Sequence, residues 1–160
     1  MVGASVMGEV HSDWYKDGLR FECTRCGNCC TGPPGAVWFT ASEGREIAEV
    51  LGLSEASFLK RYARKIRGKW SLREHKGPHG MDCVFLTRDA AGKAGCRIYA
   101  ARPSQCRTWP FWPENLKSRQ HWEAVKRETP CPGMGQGPLI TVDSILKRLH
   151  GETDDCDGNT

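Results

Sequence analysis

The chain has 160 residues, 23 Lys and Arg against 19 Asp and Glu, and a formal net charge of +4, so it has the length of one domain without the charge excess of a disordered chain. Only 28 residues are Leu, Ile, Val or Phe, a thin supply of aliphatic core, and no stretch approaches the ~18 consecutive apolar residues of a membrane span. Nine cysteines and six tryptophans are the anomalies of composition, and they point to metal-bound or cross-linked sulfur with aromatic packing around it.

Residues 1–12 read as a flexible leader, and 151–160, with four acids and no base, as an acidic flexible tail; the ordered unit is expected over 13–150. MVGASVMGEV carries neither early Lys or Arg nor a long apolar run, so no signal peptide is read and a cytoplasmic protein with reduced thiols is expected. Thr40-Ala-Ser-Glu43 has the form of a capping box ahead of Ile47, Val50 and Leu51, which predicts a helix ending at Gly52. Ser54 opens a second helix in which Phe58, Leu59, Tyr62 and Ile66 recur at helical spacing up to Gly68, and the two helices are expected to pack as a pair. Trp70–Leu72, Cys83–Leu86 and Cys96–Tyr99 read as short antiparallel strands, with a His- and Gly-containing loop between the first two and a turn over Asp89–Gly95. Helices follow at Ser118–Glu128, with Trp122 and Val125 inward, and at Val142–Leu149, with Ile145, Leu146 and Leu149 inward. The predicted class is α+β, a small irregular single domain of short antiparallel strands and several short helices around cysteine-ligated metal.

The strongest local signal is FECTRCGNCC, which sets Cys23, Cys26, Cys29 and Cys30 in a C-x2-C-x2-C-C array. A two-residue gap lets one tight turn bring two thiolates to an ion ~2.3 Å away, and Gly27 supplies the backbone freedom such a turn requires. Adjacent side chains diverge by ~180° in a strand or ~100° in a helix, so Cys29 and Cys30 are expected to serve two neighbouring centres. Cys83, Cys96, Cys106 and Cys131 bring the thiols to eight, enough for two tetrahedral sites or one shared polynuclear cluster. All-thiolate ligation suits zinc and iron–sulfur chemistry alike. C-x2-C-x2-C also opens the bacterial ferredoxin run, but Cys30 breaks that spacing and the Cys131-Pro132 pair lies far downstream.

Residues 60–76 hold eight Lys or Arg against Glu74 alone, read as a solvated face, so a metal ion is the expected partner and neither nucleic acid nor membrane is. Arg97, Arg102 and Arg107 flank Cys96 and Cys106 and are candidates to balance thiolate charge. Pro103 suits the first position of a helical turn carrying Cys106, and Trp109, Phe111 and Trp112 alternate with prolines in a segment expected to cover the metal region. His75 and His79 are separated by Gly77-Pro78, which argues for a loop and against a paired ligand role. No catalytic dyad or phosphate-cradling loop stands out, so no catalytic residue is assigned.

FECTRCGNCC, Cys83-Val-Phe-Leu, CRIYAARPSQCRTWPFWP and Cys131 followed by PGMGQG together resemble the YkgJ-like cysteine-cluster family over roughly Trp14–His150. The resemblance implies a zinc- or iron-chelating domain whose ligands are Cys23, Cys26, Cys29, Cys30, Cys83, Cys96, Cys106 and Cys131, in one or two centres. That family is similar to flagellin lysine N-methylases, which implies an alternative, an iron–sulfur redox or methyl-transfer enzyme. Cys156, in the acidic tail, matches nothing in the pattern.

Overall fold

The structure, a computed structural model, describes residues 12–151; the expected leader (1–12) apart from Ser12 and the expected acidic tail (151–160) apart from Gly151, with Cys156, lie outside the described residues. A 3-10 turn at Ser12–Tyr15 leads into β1 (Leu19–Phe21), and a second at Asn28–Cys30 closes the cysteine array. Then come α1 (Ala41–Val50), α2 (Glu55–Tyr62), β2 (Ala63–Ile66), β3 (Lys69–Leu72), β4 (Glu74–Gly77), β5 (Gly80–Cys83), β6 (Leu86–Arg88) and β7 (Ala94–Cys96). A 3-10 turn at Tyr99–Ala101 precedes α3 (Ser104–Thr108), α4 (Arg119–Glu128), β8 (Met134–Ile140) and α5 (Val142–Leu149). The six strands β2 to β7 form three consecutive antiparallel hairpins, and β8 returns to pair antiparallel with β1. The architecture is α+β, as the sequence predicts.

The capping box is present in full: Thr40 accepts from the Glu43 amide while the Glu43 carboxylate accepts from the Thr40 amide. Ser54, Ser118 and Thr141 cap α2, α4 and α5 by accepting from the Ser57, His121 and Ser144 amides. Ile47 and Ala48 of α1 pack with Phe58 of α2, whereas Val50, expected inward, is 53% exposed.

Four expectations need correction. The helix expected to reach Gly68 stops at Tyr62, because Arg67 and Gly68 both take positive φ and form the two-residue loop that joins Ile66 to Lys69. Cys83–Leu86 is not one strand: Cys83 pairs with Glu74 and Leu86 with Cys96, so two hairpins claim its ends and the chain turns at Val84 and Phe85. The third strand ends at Cys96 instead of starting there, set by Asp89, whose carboxylate accepts from the Ala91 and Lys93 amides at 2.9 Å each to shape the preceding turn. The loop expected around His75 and His79 is the β4–β5 hairpin, with His75 opposite Asp82.

Two apolar clusters result. The first gathers Phe39, Ile47, Phe58, Leu72, Phe85 and Ile98 from one continuous stretch of chain. The second joins Tyr15 and Phe21 near one end to Phe111, Leu116, Trp122, Met134 and Ile145 near the other. Its closure depends on β1–β8 and on Gly133, where a Cβ would stand 1.8 Å from the Glu22 carbonyl oxygen, so only glycine permits that approach.

Candidate metal centre

All eight predicted cysteines line one cavity of about 70 Å³ between the two clusters. Each arrives by a local route. Cys23 follows β1 and Cys131 precedes β8, so the pairing of those strands, with the Glu22 amide donating to the Gly133 carbonyl, sets the two segments side by side. Gly27 enters the 3-10 turn of Cys29 and Cys30 at φ 75°, and a Cβ there would stand 2.6 Å from the Ala94 Cβ. The turn therefore fits only glycine on both conformational and steric grounds. Cys83 ends β5, Cys96 ends β7, and Cys106 lies on α3.

The adjacent cysteines do not diverge as expected: Sγ of Cys29 and Sγ of Cys30 are 3.9 Å apart. Thiolates ~2.3 Å from a tetrahedral ion stand about 3.8 Å from one another, so this pair already spans an edge of such a site. The divergence argument neglects side-chain rotation and the tight 3-10 turn. Among the described residues, no group of three or more His, Cys, Asp or Glu is drawn in closely enough to hold an ion as the side chains stand. The donor set nevertheless suits a soft metal: no histidine or carboxylate of the described residues lines the cavity, and its volume exceeds the ~10–15 Å³ of probe volume that one small guest needs.

The electrostatics are those of crowded thiols in an apolar pocket. A hydrogen bond from the Cys30 thiol lowers Cys29 to about 7, assisted by Arg102, and the same bond raises Cys30. Burial pushes Cys83 up to about 11 and raises Cys96 and Cys106 as well, with neighbouring thiolates adding to each. A divalent cation would reverse this balance by stabilising every thiolate at once.

Of the three flanking arginines, only Arg102 lines the cavity; Arg97 reaches the Tyr62 hydroxyl at 3.3 Å, and Arg107 lies 3.9 Å from Glu43. Trp109 lines the cavity, whereas Phe111 and Trp112 turn to a separate groove, so the aromatic segment covers the thiols only in part. Neither His75 nor His79 reaches it. Pro103 caps α3 from just before its first residue.

Sequence reasoning missed several positioning residues. Arg25 joins Arg102 over the Tyr99 ring, their guanidinium carbons 4.0 and 3.9 Å from its centroid, and all three line the cavity. Glu43, bound to the Ser104 amide at 2.7 Å, and Gln105, bound to the Trp38 amide and the Ala36 carbonyl, fix α3 and hence Cys106. Asp82, only 2% exposed, accepts from Thr31 at 2.5 Å and Arg88 at 2.7 Å, which ties the end of the cysteine array to β5 and β6 and holds its carboxyl below the usual range. Asn28 donates to the Pro130 carbonyl and links the array to the segment bearing Cys131. Such contacts span up to about a hundred residues and have no local spacing to reveal them.

Comparison with known proteins agrees with the cysteine pattern. Residues 22–132 match the family model CxxCxxCC, described as "Putative zinc- or iron-chelating domain". An uncharacterized protein of Methanocaldococcus jannaschii is 32% identical over 103 residues, which is 64% of this chain and 51% of that protein. The chain thus spans about half the length of the curated relative it matches. No solved structure matches it.

Proposed function

The chain belongs to the CxxCxxCC family, and from that premise we propose that it chelates zinc or iron through the thiolates of Cys23, Cys26, Cys29, Cys30, Cys83, Cys96, Cys106 and Cys131. The thiolates form one compact centre or two adjoining ones, and the chelating unit spans residues 13–150. The observation that carries this reading is the single cavity lined by all eight thiols. The metal would supply charge neutralisation and cross-links between segments far apart in sequence. Arg102 offsets part of the remaining negative charge, and Phe85, Leu86 and Ile98 give the cavity apolar walls. Such ligation calls for a reducing compartment such as the cytoplasm.

Elemental analysis and a visible spectrum of protein purified without oxygen test the proposal. About two zinc ions per chain in colourless protein, the ratio expected for eight thiolates in four-coordinate sites, support a structural or storage centre. Brown protein with iron and acid-labile sulfide supports the iron member of the pair and brings forward a redox or methyl-transfer role. A folded protein containing neither metal contradicts it.

A further inference from the structure

A second, open groove of about 710 Å³ lies away from the thiols and combines features that sequence spacing does not reveal together. Trp38, Trp70 and Trp112 all line it, though they come from an extended segment, β3 and the loop after α3. Trp38 is 39% exposed, the most exposed of the large aromatic side chains. Gly68 and Lys69 also line it, so the tip of the β2–β3 hairpin forms one lip.

That hairpin lies within the basic run. Of the eight cations in residues 60–76, seven are exposed, and the run's single acid, Glu74, is taken by Arg64 at 3.1 Å. Lys65 stands opposite Trp70 across the strands, its Nζ 5.0 Å from the ring centroid, while Arg67 projects from the turn. The register sets Trp38 opposite Ser71, one strand over from Arg64. Arg148 enters the groove floor with its guanidinium carbon 5.3 Å from the Phe111 centroid. Two acids share the lining: Glu43, engaged by the Thr40 and Ser104 amides, and the exposed Glu114.

The exposed Trp38 ring in a groove whose lip is a basic hairpin tip suits a ligand that joins a flat π surface to negative charge. We propose that this groove binds single-stranded nucleic acid, with a base stacked on Trp38 and the adjoining phosphates against Arg67 and Lys69. A cationic ligand is disfavoured by the same lysines and arginines, and a duplex hides the base faces that Trp38 would meet. The proposal is independent of the metal centre, because among the described residues no cysteine lines the groove.

The test is fluorescence anisotropy of the full-length, metal-loaded protein with a labelled oligothymidylate, its duplex, and an acidic peptide of matched charge. Saturable binding to the single strand is expected, with quenching of tryptophan emission and a log–log salt slope near −2 for about three phosphates. Trp38→Ala should weaken it about tenfold or more while leaving that slope unchanged. Arg67→Glu and Lys69→Glu, at an exposed turn, should flatten the slope by about 0.7 each. Three results would overturn the proposal: no saturable binding at low salt, equal binding of duplex or peptide, or binding insensitive to Trp38→Ala in a protein with an unchanged melting profile.

Discussion

The two apolar clusters of this protein are built in different ways. The first draws on residues 39–101, and each of its hairpins closes over a few intervening residues, so its contacts are local. The second joins segments more than a hundred residues apart through a three-residue strand whose register shifts between Arg20 and Phe21. Cys83 and Cys96 pack on the first cluster and Cys131 on the second, with the thiol cavity between. Local pairing holds the first half with modest loop-closure cost, whereas the second half needs a long-range tie, which the proposed metal at the junction would supply.

Metal removal should break the comparison most strongly. With metal bound, both clusters should melt in one transition; after chelation the second should loosen first, with loss of a cooperative near-ultraviolet signal from Trp122 and Phe111. Stabilisation by a ligand present at 1,000 times its Kd is about 4 kcal/mol, a large part of the total for a domain of this size. Core truncation comes next. Phe58→Ala and Phe111→Ala should each cost about 3–5 kcal/mol in urea titrations, but after chelation only Phe58→Ala should still lower the melting of the first cluster.

Asp82→Asn should cost about 1–3 kcal/mol by weakening the bonds from Arg88 and Thr31, and should loosen the cysteine array with it. Because the folded carboxyl lies below its ordinary value, its contribution is present above the usual carboxylate range and is lost as pH falls through the folded value. The variant should therefore show a shallower acid limb in a plot of melting temperature against pH. The buried thiols give the opposite sign in metal-free protein: Cys83, raised from 9.0 to about 11, contributes stability below pH 9 that is lost as pH rises through about 11. Metal-loaded protein should instead weaken as pH falls, since protons compete for the thiolates. The smallest effect is expected from Thr40→Ala, which removes half of the capping box and should cost about 1 kcal/mol of thermal stability.

These elements also show what the sequence made legible. Helix caps and apolar spacing located α1, α4 and α5 because their determinants lie within one or two turns of chain. Cys83-Val-Phe-Leu misled because a short apolar run has the same appearance in a strand and in a buried turn. β8, MGQGPLI, escaped notice because two glycines and a proline hide a strand whose partner is β1. At the candidate centre the cysteines that line the cavity were readable from CxxCxxCC and the later cysteines. Gln105 and Asp82, which position those segments, were not, since each acts through long-range bonds from an unremarkable sequence context, and Glu43 was legible as a helix cap but not for its bond to the Ser104 amide.

The most direct test of the central claim is thiol alkylation followed by peptide mass spectrometry on native protein, before and after removal of metal. The account predicts that Cys23, Cys26, Cys29, Cys30, Cys83, Cys96, Cys106 and Cys131 are protected together and become reactive together when the chelator is added, with metal release in step. Exposed Cys23 and Cys29 reacting rapidly in untreated, metal-containing protein, with no metal lost, would contradict it.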